Sequence, residues 1–344
     1  MKTEAATRHA VHVIGHAGTP PGPVGRLGAY RARDGSEGEP VGLDLGGPHA
    51  ALVVGKRGSG KSYTLGVLAE ELATVDALAP VLLDPMGEFA TLAEGVPATV
   101  APPRLRADAL PARAWPALLG LEPTGAAGGL VWRAADSRPT LAGMRAFVRD
   151  SDAPPAVRLT AANHLALADE WGVFGDDGPE LLGPGVTVLD CSGLAAAPTN
   201  AACRAVAAEL YRARVEGRTD RLPWLLVDEA HVPFGGVAAP ALRRLLTRGR
   251  GPGVSLVAAT QRPSALPEVA ASQSDLLVVH RLTSGPDREA LASARPAYTE
   301  ASLLDRMPTR PGDALVVDDA TERVHAVRIR ERDTPHGGAS PRVG

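Results

Sequence analysis

The octapeptide GKRGSGKS at residues 55–62 constrains this chain more than any other stretch. It fits the spacing G-x-x-x-x-G-K-[ST] and stands between an apolar run, ALVV at 51–54, and a helical pattern from Lys61 to Ala73. In that setting Gly55, Gly58 and Gly60 let the backbone turn tightly enough to aim successive N–H groups at a phosphate chain. The N-terminus of the following helix adds its dipole to the same anion. Lys61 is expected to reach the β- and γ-phosphates and Ser62 to ligate Mg²⁺, with Lys56, Arg57, Ser59 and Tyr63 completing the nucleotide-binding stretch. Lysine occurs only at positions 2, 56 and 61, while arginine supplies nearly all other positive charge. Lys61 is thus a compact ammonium in a chain that otherwise prefers the planar guanidinium, and the two are not interchangeable.

A phosphate loop of this kind needs a sheet behind it. Short apolar runs at VLLD (81–84), VTVLD (186–190), WLLVD (224–228), VSLVAAT (254–260) and DLLVVHRL (275–282) supply the strands, and helical segments near 199–215 and 239–248 separate several of them. The pattern predicts an α/β fold with a mostly parallel sheet covered on both faces. GDALVVD (312–318) and RVHAVRIR (323–330) predict a closing antiparallel hairpin. Residues 15–48 are rich in Gly and Pro, with PVGLDL at 40–45 as the clearest strand. Residues 97–184 are Ala- and Pro-rich and read as a helical insertion, with helices near 104–119, 139–150 and 155–171. The expected division is a short N-terminal β/loop segment at 1–48, an ATPase-type domain at 49–338 and a flexible tail at 339–344.

The 344 residues are 44% hydrophobic, enough for a sizeable core, but only 3% aromatic, so Ala, Val and Leu must fill it. No apolar run reaches the length of a membrane-spanning helix. The N-terminus lacks a secretory signal's apolar stretch, and Cys191 and Cys203 have no metal spacing, which together point to the cytoplasm. A net charge of −3 excludes a generally basic nucleic-acid coat and leaves room for a locally basic groove.

Beyond the loop, WLLVDEAH at 224–231 is a strand ending in two carboxylates. Asp228 at that point is expected to hold the Mg²⁺ shell, and Glu229 to polarise water for attack on a γ-phosphate. His231 reads as a structural histidine. Gln261, at the tip of the next strand, is placed to orient water or sense the γ-phosphate. In RRLLTRGRG at 243–251, Arg243 and Arg244 suit a helix C-terminus without further function. Arg250, in the turn entering the Gln261 strand, is the candidate catalytic arginine, acting within its own subunit or across an interface.

Together these motifs resemble the HerA/FtsK superfamily of ring-forming ATPases, most closely its HerA-like branch, over roughly residues 40–338. The discriminating pieces are DPMGEF (84–89), VTVLDCSGL, GRGPGVSLVAATQRPS, GDALVV and the late TPHGG. HerA-like proteins carry a D-P-x-G-E-[YF] box after the second core strand, and the coupling proteins of conjugation have a similar one. The resemblance implies a RecA-like core and places Asp84 and Glu88 beside the nucleotide. It also implies ATP and Mg²⁺ as cofactors, and a homo-oligomeric ring, expected to be a hexamer, that moves double-stranded DNA without regard to sequence. The alternatives are a regulatory or scaffold ATPase of an antiviral or effector complex and a viral-type packaging motor. Three departures stand out. Met86 replaces the His or Lys frequent in the box, and Pro48 stands before His49 where the family often has arginine. The segment ahead of the loop is also too short for a full HerA barrel, the part that docks a nuclease, leaving a nuclease or another effector as an open partner.

Overall fold

The computed structural model describes residues 12–18, 22–32, 34–176, 178–293 and 306–336. Three strands precede the phosphate loop: β1 (His12–Ile14), β2 (Val24–Arg31) and β3 (Glu37–Asp44). The core then alternates β4 (Ala50–Val54), α1 (Lys61–Ala73) and β5 (Leu78–Asp84). Next comes β6 (Ala98–Ala101), and a helical segment holds α2 (Trp115–Leu118), α3 (Ala126–Ser137), α4 (Leu141–Arg149) and α5 (Pro155–Glu170). Then follow β7 (Val186–Asp190), α6 (Ala196–Val215), β8 (Leu222–Val227), α7 (His231–Phe234), α8 (Ala239–Arg248) and β9 (Ser255–Thr260). The chain closes with α9 (Glu268–Ser272), β10 (Leu276–Val279), α10 (Gly285–Ser293), β11 (Asp313–Asp318) and β12 (Arg323–Ile329).

Among the described residues the twelve strands share one sheet in the order β1-β3-β2-β12-β11-β10-β4-β9-β8-β5-β7-β6. From β10 to β6 every pairing is parallel, while β11 and β12 form the expected antiparallel hairpin and β12 continues antiparallel into β2. Strand residues alternate between two cores, as a period of two requires. Leu52, Val54, Val81 and Leu83 face the layer of α6, α8 and the helical segment; Ala51, Val53 and Leu82 face α1. Helix α1 is an exact match in extent to the sequence pattern, and β4, β7 and β9 agree to within one residue.

Residues 97–184 differ from the sequence reading in two ways. The segment opens with β6, which adds a parallel edge strand beside β7. The stretch near 104–119 holds short 3₁₀ turns and the four-residue α2, because prolines at 102, 103, 111 and 116 interrupt any longer helix. The segment's helical mass lies in α4 and α5, which match the expected helices near 139–150 and 155–171, and in the unexpected α3; the three pack on one another, while Trp115 is buried with its ring 4.9 Å from that of Phe174.

The beginning of the C-terminal tail is not loose. Residues 330–334 run along α1, where buried Glu70 accepts hydrogen bonds from the Thr334 hydroxyl at 2.6 Å, the Thr334 N–H at 3.0 Å and the Asp333 N–H at 3.1 Å. Arg330 Nη1 lies 2.8 Å from the same carboxylate. Burial alone would raise the Glu70 pKa, but these donors outweigh it and hold the carboxyl below its ordinary range. The segment predicted as a flexible tail, 339–344, lies outside the described residues.

Candidate nucleotide site

Strands β4, β9, β8 and β5 are neighbours and run parallel, so the loops leaving their carboxyl ends meet over one edge of the sheet. Open α/β sheets bind ligands at this edge. The loop from β4 to α1 is fixed from both sides. The Lys56 N–H donates to the Arg281 carbonyl beyond β10 at 2.8 Å, and the Ser59 hydroxyl donates to the Lys56 carbonyl at 2.7 Å. Gly60 caps α1 with φ 116°, a conformation that L side chains rarely adopt. A Cβ on Gly55 would lie 2.4 Å from Ser59 Oγ and 2.6 Å from His280 Cβ, so the loop closes only without one. No side chain caps α1, which leaves its first-turn N–H groups to an anion. Lys56 and Arg57 stand exposed on the loop.

Two adjacent pairs far apart in sequence, Lys61–Ser62 and Asp228–Glu229, converge on this cradle. Lys61 is buried and its Nζ donates to the Lys56 carbonyl at 3.3 Å. Burial lowers its pKa, and the negative charges of Glu229, Asp228 and Glu88 oppose that shift. Ser62 Oγ donates to Asp228 Oδ2 at 2.8 Å, while Asp228 Oδ1 accepts the Glu229 N–H at 2.9 Å. Burial pushes the Asp228 carboxyl up to about 6 against those hydrogen bonds. Glu229 has φ 47°, a left-handed backbone that costs about 1 kcal/mol or more. Its Oε2 lies 3.2 Å from His231 Nδ1, and the same nitrogen is 3.4 Å from Thr260 Oγ1. His231 Nδ1 therefore lies between the Glu229 carboxylate and the tip of β9, while the buried Glu229 Oε2 has no hydrogen-bond partner among the described residues. Thr260 pairs with Val54, so Gln261, half-buried, follows directly beside the start of the phosphate loop.

Three expected site residues do other things. Asp84 is buried and its carboxylate is occupied by its own turn: Oδ1 accepts N–H groups of Met86, Gly87 and Glu88 at 3.2, 2.8 and 3.2 Å, and Oδ2 that of Phe89 at 2.9 Å. Burial still raises its pKa. The expected contact of Asp84 with nucleotide is thus corrected: it shapes the DPMGEF turn, and Glu88, partly exposed, is the carboxylate that turn presents towards Lys61. The Tyr63 hydroxyl accepts the Arg332 N–H at 2.7 Å and its ring meets His336 edge-on at 5.4 Å, so its side chain serves the docked tail. Arg250 precedes β9 and therefore lies at the amino edge of the sheet, opposite the phosphate loop. There its Nη2 is 2.9 Å from Asp275 Oδ2, which also contacts His49 Nδ1 at 2.8 Å. A role for Arg250 at the nucleotide of its own subunit does not fit that position.

Sequence reasoning missed His280. Its Nδ1 faces the Asp313 carbonyl at 2.9 Å and its Nε2 the Thr64 hydroxyl at 2.9 Å, tying α1 to the β11–β12 hairpin beneath the loop. A histidine ending an otherwise apolar strand was the one available signal.

Residues 29–118, from within β2 to the end of α2, match the family described as "Helicase HerA, central domain". That stretch of the chain is similar to a HerA central domain. The matched segment holds both the phosphate loop and the DPMGEF turn, and the HerA/FtsK resemblance read from the motifs stands. The whole fold is similar to VirB4 of Thermoanaerobacter pseudethanolicus, at 16% identity over 92% of this chain and 99% of that one, with a TM-score of 0.68. It is also similar to the bacterial conjugative coupling protein TrwB in its unbound form, at 16% identity over 94% and 99% of the two chains, with a TM-score of 0.56. For TrwB in complex with ADP and Mg²⁺ the TM-score is 0.55, at 16% identity over 83% and 86%. The comparison with curated proteins gives no match. These likenesses establish a RecA-like P-loop core; no helix among the described residues is long and apolar enough to cross a membrane.

Proposed function

We propose that the protein is an Mg-ATP hydrolase that assembles as a ring, a hexamer, and drives double-stranded DNA through its centre without regard to sequence. The observation that carries the reading is the 2.8 Å contact between Ser62 and Asp228 beside buried Lys61. The donor set fits Mg²⁺, since hydroxyl and carboxylate are hard oxygen ligands and two of them already adjoin. Ser62 and Asp228 would hold the ion, which would supply positive charge against the nucleotide's phosphates. Lys61 and the first-turn N–H groups of α1 hold the phosphate chain, and the Gly55–Gly60 backbone excludes side chains from it. Glu229 takes the proton of the attacking water, its carboxylate carried by the left-handed backbone at 229 with His231 beside it. Gln261 orients the water, and Arg250, remote from its own loop, acts on a neighbouring subunit's nucleotide.

The TrwB complex with ADP and Mg²⁺ supports the choice of nucleotide and metal, and the likeness to a conjugative coupling protein supports DNA as the moved polymer. A scaffold ATPase serving an effector would keep the same site without coupling it to DNA. The test separates binding from turnover. Lys61→Ala should lose ATP binding and turnover together, whereas Glu229→Gln should bind ATP and fail to hydrolyse it. Wild-type turnover in Glu229→Gln would remove Glu229 from the mechanism.

A further inference from the structure

On the sheet face opposite α1, helices α6 and α8 pack together. Helix α8 contains arginines at 243, 244 and 248 and no acidic residue. On α6 the sole carboxylate, Glu209, is taken by Arg212 and Arg218. Among the described residues Arg113, Arg204, Arg244 and Arg248 make no ion pair. Arg204 is only 7% exposed; its Nη1 donates to the Val237 carbonyl at 2.5 Å, while its Nε is buried with no partner. Tyr211 lies seven residues, two helical turns, further along the same face of α6, and the Arg244 guanidinium sits over its ring at 5.7 Å. Arg113 is exposed on the turn leading into α2, a helix that packs against α6. Burial first, then the charges of Arg113 and Arg244, lower the Arg204 pKa. Like charges gathered around a half-satisfied buried guanidinium are costly until an anion joins them.

We propose that Arg113, Arg204 and Arg244, extended by Arg248 one turn along α8, bind the phosphodiester backbone of nucleic acid. The proposal rests on the DNA-moving reading and says where the contact is made. Guanidinium forks match phosphate oxygens, and a row of them along a helix suits successive phosphates. In a chain of net charge −3 the attraction must be local. The contact involves the backbone alone, so it does not read sequence.

The experiment is fluorescence anisotropy of the full chain with a labelled mixed-sequence DNA duplex across a salt series, with thermal melting to confirm folding. Arg113 and Arg244 are exposed and are replaced together, leaving Arg204 in place. Arg113→Ala with Arg244→Ala should weaken binding about tenfold and flatten the slope of log affinity against log salt by about two. Arg113→Lys with Arg244→Lys keeps two charges and should retain the wild-type slope. A folded double-alanine variant with wild-type affinity and slope overturns the site while leaving the DNA reading intact. A wild-type protein that binds Mg-ATP but no duplex overturns both.

Discussion

Ser62, on the first turn of α1, donates a 2.8 Å hydrogen bond to Asp228, at the end of β8, across 166 residues of sequence. The contact exists because β4 and β8 flank β9 in one parallel sheet, which brings their carboxyl ends to the same edge. Asp228→Asn keeps an acceptor for the Glu229 N–H but removes the charge that the metal shell needs. Turnover should fall at least about a hundredfold, the scale of losing one preorganised electrostatic group, with the fold retained. An Mg²⁺ titration of the ATPase rate checks it, and an unchanged rate at every Mg²⁺ concentration would contradict the role of Asp228.

His280 predicts a pH dependence of folding. Its Nδ1 faces a carbonyl and so carries the hydrogen, leaving Nε2 to accept from Thr64, which is a neutral ring. Burial, with the charge of Lys61, lowers its pKa from 6.5 to about 4 against the Asp313 carbonyl. The unfolded chain therefore binds a proton that the folded one refuses, and stability falls as pH drops from 6.5 towards about 4. Denaturant midpoints measured across that window should decline, and His280→Gln should flatten the decline. Parallel profiles for the two proteins would contradict this assignment.

Glu70 fastens the tail to α1. Glu70→Ala would leave the Arg332 guanidinium, 1% exposed, without its carboxylate, at a cost of about 3–5 kcal/mol. Chemical denaturation measures the loss. A change close to zero would mean that the segment at 330–334 is held by other contacts.

The Arg250 position predicts complementation between subunits. Arg250→Ala and Glu229→Gln should each be inactive alone, the arginine loss costing about a thousandfold. Mixed rings should regain activity, because some interfaces then join an intact Arg250 to an intact Glu229. Mixtures as inactive as either variant would contradict action across the interface.

Much of this was legible in the sequence because it is local. The phosphate loop, α1 and the strand ends at Asp228 and Thr260 each combine a period with a terminating polar residue. What was not legible depends on partners distant in the chain. Asp84 looked like a ligand because sequence cannot tell a carboxylate aimed outward from one bound by its own four N–H groups. Helix α3 was hidden by Gly128 and Gly129, which weaken helical propensity and are overridden by packing on α4 and α5. The docked tail was hidden because its anchor, Glu70, lies on a helix face that reads as solvent until residues 330–334 cover it.

The central claim is tested most directly by the ATPase rate of the assembled protein, its ring size fixed by light scattering, with and without duplex DNA across a salt series. Phosphate contacts weaken steeply as salt rises. The account predicts hydrolysis that DNA accelerates at low salt and no longer accelerates at high salt. A ring whose ATPase rate is the same with and without DNA at every salt concentration would contradict it.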